Sequence, residues 1–392
     1  RGYSDEALSI AAGIDGNLYA AGYSSGGSAT HDDLAVISLT PSGEERWVYS
    51  YDGPGHSYDN AKSISSGADG HVYATGTSWG SSTNYDLIVV SLDVSGTERW
   101  VYRYNGPGAA QDLGNSIVVG AKDNVYICGQ SWLSGPSSGF IVVSLSPSGG
   151  ERWVYRCNGT SGEDEARWIA VAPDDNLYAA GTVHGSGTES DFTVVSLTPL
   201  GAERWVYVYD GPVNLYDYAE AIAMGRDGNV YAAGTSHAGT GHSFDFMVIS
   251  LTPKGEERWI YRYNGSGNGM DAAFAIVTGT DGNIYAAGYS SESGTPYCFT
   301  VISLTPSGQE RWVYTRDGSG YSWDCAHSLA VGGDGNVYAT GVIDDSVTVN
   351  DIIVVSLTPS GEERWVYRYD GSDNAYDWDV GYSIVAGIDG NL

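Results

Sequence analysis

The sequence predicts an all-β protein built from seven copies of one unit. Three observations support this prediction: a recurring Glu-Arg-Trp-Val-Tyr motif, turn residues at fixed places between short apolar runs, and no segment with the 3.6-residue apolar spacing of a helix. The tryptophans of the motif are 53, 53, 52, 54, 53 and 53 residues apart, so a repeat of about 53 residues fills the chain. The seven copies are Glu45–Tyr49, Glu98–Tyr102, Glu151–Tyr155, Glu203–Tyr207, Glu257–Tyr261, Glu310–Tyr314 and Glu363–Tyr367.

Each unit contains the pattern of four strands. In the first unit, Ala7–Ala12 and Leu18–Tyr23 are apolar runs joined by the tight turn Asp15-Gly16-Asn17, which is typical of a hairpin. Leu34–Leu39 is a third run, and Pro41-Ser42-Gly43 turns the chain into the motif strand. Four strands in each of seven units predict a seven-bladed β-propeller of four-stranded blades, an architecture that leaves few exposed sheet edges.

The regular repeat predicts one domain over residues 1–392. Residues 1–18 and 375–392 have the same phase in the repeat, which gives eight first strands but seven fourth strands. We expect 375–392 to begin an additional repeat, and an eight-bladed propeller or a truncated longer array is the alternative. The surplus strand near Ser383–Ala386 could also join a partner or a second copy of the chain. Because Arg1 is not an initiator methionine, we expect the chain to be part of a longer product.

The repeat resembles a known family. The pattern Asp-x-Ala-x-Ala-Ile, then Asp-Gly-Asn-x-Tyr-Ala-Ala-Gly, then Asp-Phe-x-Val-x-Ser-Leu-x-Pro-x-Gly, present over Asp217–Gly255, is similar to the bacterial seven-bladed propeller (SBBP) repeat family. This resemblance covers nearly the whole chain and implies a secreted or cell-surface propeller module, a class that mostly lacks an assigned activity.

The motif also resembles the tryptophan-docking repeat of pyrroloquinoline-quinone dehydrogenases, in which a tryptophan late in each blade packs against the next blade. Those enzymes hold their cofactor with a vicinal disulfide, and no two cysteines are adjacent here. The resemblance therefore implies the packing role alone and no cofactor. Strand alternation places Glu45, Trp47 and Tyr49 on one face. We expect a structural role between blades for the motif tryptophans, namely Trp47, Trp100, Trp153, Trp205, Trp259, Trp312 and Trp365.

Charge and composition exclude some partners. With 18 Lys and Arg against 48 Asp and Glu, the net charge is −30, which disfavours binding to nucleic acid or to an anionic membrane surface. No apolar run approaches the ~20 residues of a membrane span, so we predict no membrane insertion. Low lysine content with 30 Tyr and 55 Gly favours a secreted or cell-surface location. The four cysteines, Cys128, Cys157, Cys298 and Cys325, lack the spacing of a zinc or redox motif, and both free thiols and two disulfides remain open.

Aspartates recur at two places in the repeat. One precedes each first strand, and a second precedes most third strands (Asp33, Asp86, Asp191, Asp245 and Asp351). Because strands alternate in direction, both sets are expected on one face of the propeller. A residue present in every repeat does not mark a single site, so we interpret these carboxylates as acceptors for backbone N–H groups of loops. The sharper hypothesis is Ca²⁺ binding, with the candidate ligands Asp59, Asp112, Asp164, Asp217, Asp271 and Asp324.

A ligand site on a nearly symmetric molecule must lie where the repeats differ. Five tryptophans lie outside the motif, and all except Trp168 map to loops of the aspartate face. Aromatic rings beside carboxylates suit glycans or peptides, although loop aromatics can also fold back on blade edges. The predicted ligand-binding residues are Tyr58, Trp79, Trp132, His184, Tyr216, His237, Trp323 and Trp378.

No strong catalytic motif is present. The sequence lacks a Gly-x-Ser-x-Gly elbow, a His-Glu-x-x-His helix and a phosphate-binding glycine loop. We therefore predict a non-catalytic scaffold, outside the cell or on its surface, that binds a glycan or an extracellular protein and needs no cofactor other than, at most, Ca²⁺. The alternatives are a polysaccharide-acting enzyme supported by Ca²⁺ and a structural subunit of an extracellular assembly joined through the C-terminal strand.

Overall fold

The seven-bladed β-propeller predicted from the repeat is confirmed. The computed structural model describes residues 5–25, 31–108, 110–133, 137–160, 162–185, 187, 189–239, 244–318, 323–344, 350–371, 379–387 and 390–392. Within these residues, 28 strands form seven four-stranded antiparallel sheets, each with its strands in sequence order. The same residues form no helix, and so none that could cross a membrane.

The chain divides into two compact units. The first comprises Arg1–Ser186, Val195–Arg204 and Gly387–Asn391. Its strands are β1 Glu6–Ala12, β2 Leu18–Ser25, β3 Asp32–Leu39, β4 Glu45–Tyr51, β5 Asp59–Ser66, β6 Val72–Trp79, β7 Tyr85–Leu92, β8 Glu98–Tyr104, β9 Asp112–Val119, β10 Val125–Trp132, β11 Ser138–Leu145, β12 Glu151–Cys157, β13 Glu165–Val171 and β14 Leu177–His184.

The second unit comprises Gly187–Val194, Trp205–Ala386 and Leu392. The last two strands of the fourth sheet, β15 Ser190–Leu197 and β16 Glu203–Tyr209, contain residues of both units. The remaining strands are β17 Asp217–Met224, β18 Val230–His237, β19 Phe244–Leu251, β20 Glu257–Tyr263, β21 Ala272–Thr278, β22 Ile284–Glu292, β23 Thr295–Leu304, β24 Glu310–Arg316, β25 Cys325–Val331, β26 Val337–Ile343, β27 Asp351–Leu357 and β28 Glu363–Tyr369. The expectation of one domain over residues 1–392 stays a prediction.

Burial follows the place of each strand in its sheet. Second and third strands are buried on both faces, as in β10 and β11, which explains their continuous runs of Val, Ile, Leu and Ala. Fourth strands are only half-buried, as in β12. The tight turns predicted before the second strands are closed by their own side chains. At Asp227, the carboxylate accepts bonds from the Asn229 backbone N–H at 3.0 Å and from the Tyr231 hydroxyl at 2.7 Å.

The motif tryptophans join neighbouring sheets within each unit. Their Nε1–H groups donate to a backbone carbonyl in the turn before the next fourth strand, at 3.0–3.2 Å. The six bonds run from Trp47 to Val94, Trp100 to Pro147, Trp153 to Pro199, Trp205 to Pro253, Trp259 to Pro306 and Trp312 to Pro359. Trp365 of the last sheet packs on Tyr338 and is 39% exposed.

The indole ring also lies over the glycine of the same turn. At Gly308, a Cβ atom would be 2.6 Å from Cδ2 of Trp259, and five other turns have the same contact. These glycines have φ near +80°, a left-handed conformation that favours glycine even without the ring. The Pro-x-Gly punctuation is therefore the surface on which the tryptophan packs, as well as a turn signal.

The glutamate and arginine of the motif make both hydrogen bonds and ion pairs. The arginine lies near the aspartate of a turn in its own sheet, as Arg46 does to Asp15 at 3.8 Å. The glutamate of one repeat mainly accepts a bond from the tyrosine of the preceding repeat, as from Tyr49 to Glu98 at 2.6 Å. The arginine bonds both within its own sheet and to the next repeat: Arg46 donates to Ser38 Oγ at 2.8 Å and to the carbonyl of Val94 at 3.2 Å.

The segment 379–387 contacts the seventh sheet in the way that a first strand contacts the preceding sheet. Ile384 N–H donates to Ser328 Oγ at 3.2 Å, as Ile64 N–H donates to Ser9 Oγ at 3.3 Å. Gly387 and Asn391 then form the same turn bond as Gly13 and Asn17. The two copies of this sequence share the turn bond, but Ser383–Ala386 forms no strand, whereas the first copy is β1, paired with β2.

All four cysteines are free, which leaves the disulfide alternative unsupported. Cys128, Cys298 and Cys325 are buried and Cys157 is half-buried. They act as small apolar side chains in the packing.

We predict that Gly308→Ala destabilises the second unit more than Gly282→Ala does. Both glycines have φ of +81° to +82°, so both variants incur the cost of a left-handed alanine, about 1–2 kcal/mol. Only at Gly308 does the new Cβ overlap the Trp259 ring, which adds about 1–3 kcal/mol of overpacking. Urea unfolding of both variants measures the difference, and equal losses of stability would show that the tryptophan contact is not tight.

Candidate functional site

The aspartates before the first strands fix loops, as the backbone-acceptor interpretation requires. Asp59 accepts bonds from the backbone N–H groups of Gly53 at 2.8 Å and Trp79 at 3.1 Å. Corresponding bonds from the preceding Asx-Gly turn reach Asp112, Asp164, Asp217, Asp271 and Asp324. These carboxylates are 0–2% exposed, so each ties the loop before its strand to the sheet. Ca²⁺ binding by this whole set stays a prediction.

Four of the predicted ligand-binding residues lie next to one another in pairs. The backbone N–H of Trp79 donates to the carbonyl of Tyr58 at 3.2 Å, and His237 does the same to Tyr216 at 3.1 Å. Tyr58 packs on His31 with ring centroids 4.5 Å apart. Two pairs of predicted ligand-binding residues are therefore brought together, one pair in each unit.

Several of the predicted ligand-binding residues have further contacts, which differ from one residue to the next. Trp79 packs edge-on against Tyr85, and His237 against Phe244. Trp132 is half-buried, and its Nε1–H has no hydrogen-bond partner among the described residues. His184 lies beside Asp164, with Nδ1 3.5 Å from the carboxylate. Trp378 lies outside the described residues.

Trp323, another predicted ligand-binding residue, lies in a cluster of aromatic rings. It is 47% exposed and stacks on Tyr297, with ring centroids 4.6 Å apart and 23° between the planes. Tyr289 packs against both rings. The indole is therefore held in a fixed orientation while one side of it remains available to a ligand.

A cavity of about 360 Å³ opens beside this indole in the second unit, and we refer to it as the Trp323 cavity. Its walls are mainly apolar and aromatic. The lining residues are Trp323, Cys325, His327, Val342, Asn350, Val380 and Tyr382.

Asn350 supplies the polar feature of the cavity. It is 2% exposed, has φ of +61°, and its Oδ1 has no hydrogen-bond partner among the described residues. Leaving such an acceptor unsatisfied costs about 1–3 kcal/mol. A hydroxyl or amide N–H of a ligand in the cavity would satisfy it.

The ionisable side chains that line the cavity are those of His327, Cys325 and Tyr382. Burial lowers the pKa of His327, so its ring is neutral near pH 7. Burial raises the pKa of the Cys325 thiol far above its ordinary value, which keeps it protonated and a poor nucleophile. Among the described lining residues there is no carboxylate to act as an acid or a base.

His327, Tyr382 and Asn350 were missed in the sequence. The signal was a variable position inside the first strands, where the last three copies are Phe274, His327 and Tyr382 and the earlier ones are mostly polar or charged. These three rings follow one another, with centroids 6.1 Å and 5.7 Å apart. Our search for variable positions covered loops and left the strands out.

The architecture and this cavity define a β-propeller with a ligand-sized site. The sequence matches no protein-family model and no curated protein. Among solved structures, the chain is similar to the periplasmic gluconolactonase PpgL of Pseudomonas aeruginosa, with a TM-score of 0.54 and 12% identity over 92% of this chain and 97% of that one.

Two further structures are more distant. A polysaccharide lyase of family PL25, an ulvan lyase, has a TM-score of 0.47 and 11% identity over 78% of this chain and 82% of that one. A protein of unknown function from Bacteroides caccae has a TM-score of 0.40 and 11% identity, with coverage of 75% and 93%. At these identities the likeness concerns the fold alone, and the resemblance to the SBBP repeat family stays a prediction.

We predict that buried aspartates make stability fall as pH rises from about 4 to 7. Burial raises the pKa of Asp112, Asp271 and Asp324 from 3.8 to about 6, so the folded state holds protons that the unfolded chain releases. Their contribution is complete below the unfolded pKa and is lost as pH rises through about 6. Asp112→Asn, which can retain the bond from Gly106 N–H, should gain melting temperature relative to the wild type between pH 4 and pH 7.

Asp227→Asn is the control of opposite sign. Burial acts to raise the pKa of Asp227, but bonds from Asn229 and Tyr231 outweigh it and the pKa is lowered, so this carboxylate stabilises the fold above pH 3.8. The variant should lose melting temperature relative to the wild type as pH rises through that value. If both variants follow the wild-type profile, the pH dependence arises from the overall charge and not from these groups.

Proposed function

We propose that this protein is a non-catalytic binding module that holds a sugar ring in the Trp323 cavity. The observation that supports this best is the pairing of a half-exposed indole with an unsatisfied carboxamide oxygen in one cavity. Sugars present apolar C–H faces that pack on indole, and hydroxyls that donate to oxygen acceptors. A ligand of this kind matches both features of the cavity at once.

The size and charge of the site narrow the ligand class. A volume of about 360 Å³ is at the lower end of the ~300–1,000 Å³ typical of small-molecule sites, which favours a mono- or disaccharide unit over a long chain. The net charge of −30 disfavours sulfated or uronic acid polymers. We therefore expect neutral or amino sugars, at the end of a glycan or as a side branch.

The proposal includes a secreted or cell-surface location and membership of the SBBP-type repeat proteins. The low lysine content, the glycine-rich loops and the repeat pattern at Asp217–Gly255 favour both. An enzyme that acts on polysaccharide has only the likeness in fold in its support, and the lining residues of the cavity favour binding.

We predict that Trp323→Ala weakens glycan binding at least about tenfold, equivalent to about 1.4 kcal/mol. The loss reflects the removed stacking surface. Binding to a glycan array identifies the sugar, and titration calorimetry of the best ligand gives the affinity of the variant.

Trp168→Ala is the matched control. Trp168 is also 47% exposed but lies in β13 and does not line the Trp323 cavity, so its loss should leave binding unchanged. Asn350→Gly keeps the positive φ while removing the acceptor, and it should weaken binding of the same sugar. Equal affinities of the Trp323 and Trp168 variants would contradict the proposal.

A further inference from the structure

Two groups of three carboxylates are present among the described residues. One is Asp191, Asp210 and Asp217 in the second unit, and the other is Asp33, Asp52 and Asp59 in the first. In each group, one carboxylate oxygen of every member lies within 4.8 Å of the others. The two groups occupy the same positions of the repeat, three sheets apart in sequence.

Most repeats have an arginine where these two groups lie. It is the third residue after the motif tryptophan, and it pairs with the third-strand aspartate: Arg103 with Asp86 at 2.7 Å and Arg368 with Asp351 at 2.7 Å. In the fifth repeat, Arg262 lies 3.6 Å from Asp245. The two repeats with three clustered carboxylates have Ser50 and Val208 at this position.

The repeats in which Ser50 and Val208 replace the arginine also differ at a second position. Two residues after the arginine, the second, third and fifth repeats have Asn105, Asn158 and Asn264. The first and fourth repeats, which lack the arginine, have Asp52 and Asp210 instead, and the seventh has Asp370 although it keeps Arg368. Where the positive side chain is missing, a further negative one is present, which is the reverse of what charge balance within the protein would give.

A divalent cation would offset much of this excess. Asp191, Asp210 and Asp217 bring three negative charges together, and Arg262, which acts electrostatically on Asp217, is also 3.6 Å from Asp245. In the sixth repeat, which has Thr315 in place of the arginine, Cys298 replaces the third-strand aspartate.

The buried member of the fourth-repeat group has an oxygen left for a ligand. Asp217 is 1% exposed, and its Oδ2 accepts the Gly211 N–H at 2.7 Å. Its Oδ1 makes no well-formed hydrogen bond among the described residues, although the Ser236 hydroxyl lies near the carboxylate. Asp112 and Asp271 also have such an oxygen, but beside Asp217 two further carboxylates lie close to it, which is the setting that a cation stabilises.

The donor set favours Ca²⁺ over Mg²⁺. Calcium takes six to eight oxygen ligands and readily accepts several carboxylates in flexible geometry. Magnesium keeps several of its waters and is usually bound by one or two carboxylates. Three clustered carboxylates therefore suit Ca²⁺ better.

We propose that Asp191, Asp210 and Asp217 bind a Ca²⁺ ion that takes the place of the arginine found in other repeats, and that Asp33, Asp52 and Asp59 form a second, weaker site. The first-unit site is weaker because His56 already pairs with Asp52 at 2.6 Å. This proposal goes beyond the glycan-binding function and does not depend on it.

Calorimetric titration of the full chain with Ca²⁺, after removal of divalent ions by chelation, tests the proposal. We expect two binding events in the wild type, with Mg²⁺ competing poorly. Val208→Arg, which installs the arginine of the other repeats, should remove the tighter event, and Ser50→Arg should remove the weaker one. Asp210→Asn, which installs the asparagine of those repeats, should also remove the tighter event.

Asp370→Asn is the matched control. Asp370 occupies the same position of the repeat as Asp210, but its repeat retains the pair of Arg368 with Asp351, so both binding events should remain. Circular dichroism and the melting temperature without Ca²⁺ verify that each variant folds. The proposal is overturned if the folded wild type shows no saturable Ca²⁺ binding, if the tighter event survives in folded Val208→Arg, or if Asp370→Asn removes it.

Discussion

An indole ring packed between two sheets brings a polar N–H with it, and that group needs an acceptor. Here the acceptor is a carbonyl of the turn before the next fourth strand, and the ring covers the glycine of the same turn. One motif and one turn therefore set the spacing of neighbouring sheets. The motif and the turn both lie toward one end of each sheet, the end with the loops that join the first strand to the second and the third strand to the fourth. The loops at the opposite ends have no part in this contact, and it is there that Trp323 and the clustered aspartates are found.

The fold could be predicted from the sequence because every level of the pattern repeats. The predicted run Ala7–Ala12 is the strand Glu6–Ala12, and Leu34–Leu39 is the strand Asp32–Leu39. Turn residues, apolar runs and the motif all agree on the same four-stranded unit, so an error in one repeat is corrected by the other six. The tyrosine partner of the motif glutamate could not be predicted, because it depends on which side chain of the adjacent sheet faces that glutamate.

The candidate sites were only partly accessible from the sequence. Trp323 was chosen because it departs from the repeat, but the cavity beside it needs Asn350, whose unsatisfied oxygen depends on the three-dimensional packing. The aspartates before the first and third strands were recognised from the sequence because they recur in most repeats. Because they recur, the sequence did not single out the two places where three carboxylates meet. The exchange of arginine for Ser50 and Val208 is present in the sequence. Its meaning emerges only once Arg103 and Arg368 are seen to reach the third-strand aspartates.

The tryptophan and tyrosine contacts between sheets join residues 46 to 50 positions apart. Each repeat can therefore dock as soon as the following one has been synthesised, and a nascent chain can assemble in order from its first sheet. The same uniformity has a cost in a complete unfolded chain. There the indole of any repeat fits the Pro-x-Gly turn of several others, and pairing of sheets that are not neighbours competes with correct docking. Synthesis from one end removes most of those competitors, so folding in step with translation suits this chain better than refolding from denaturant.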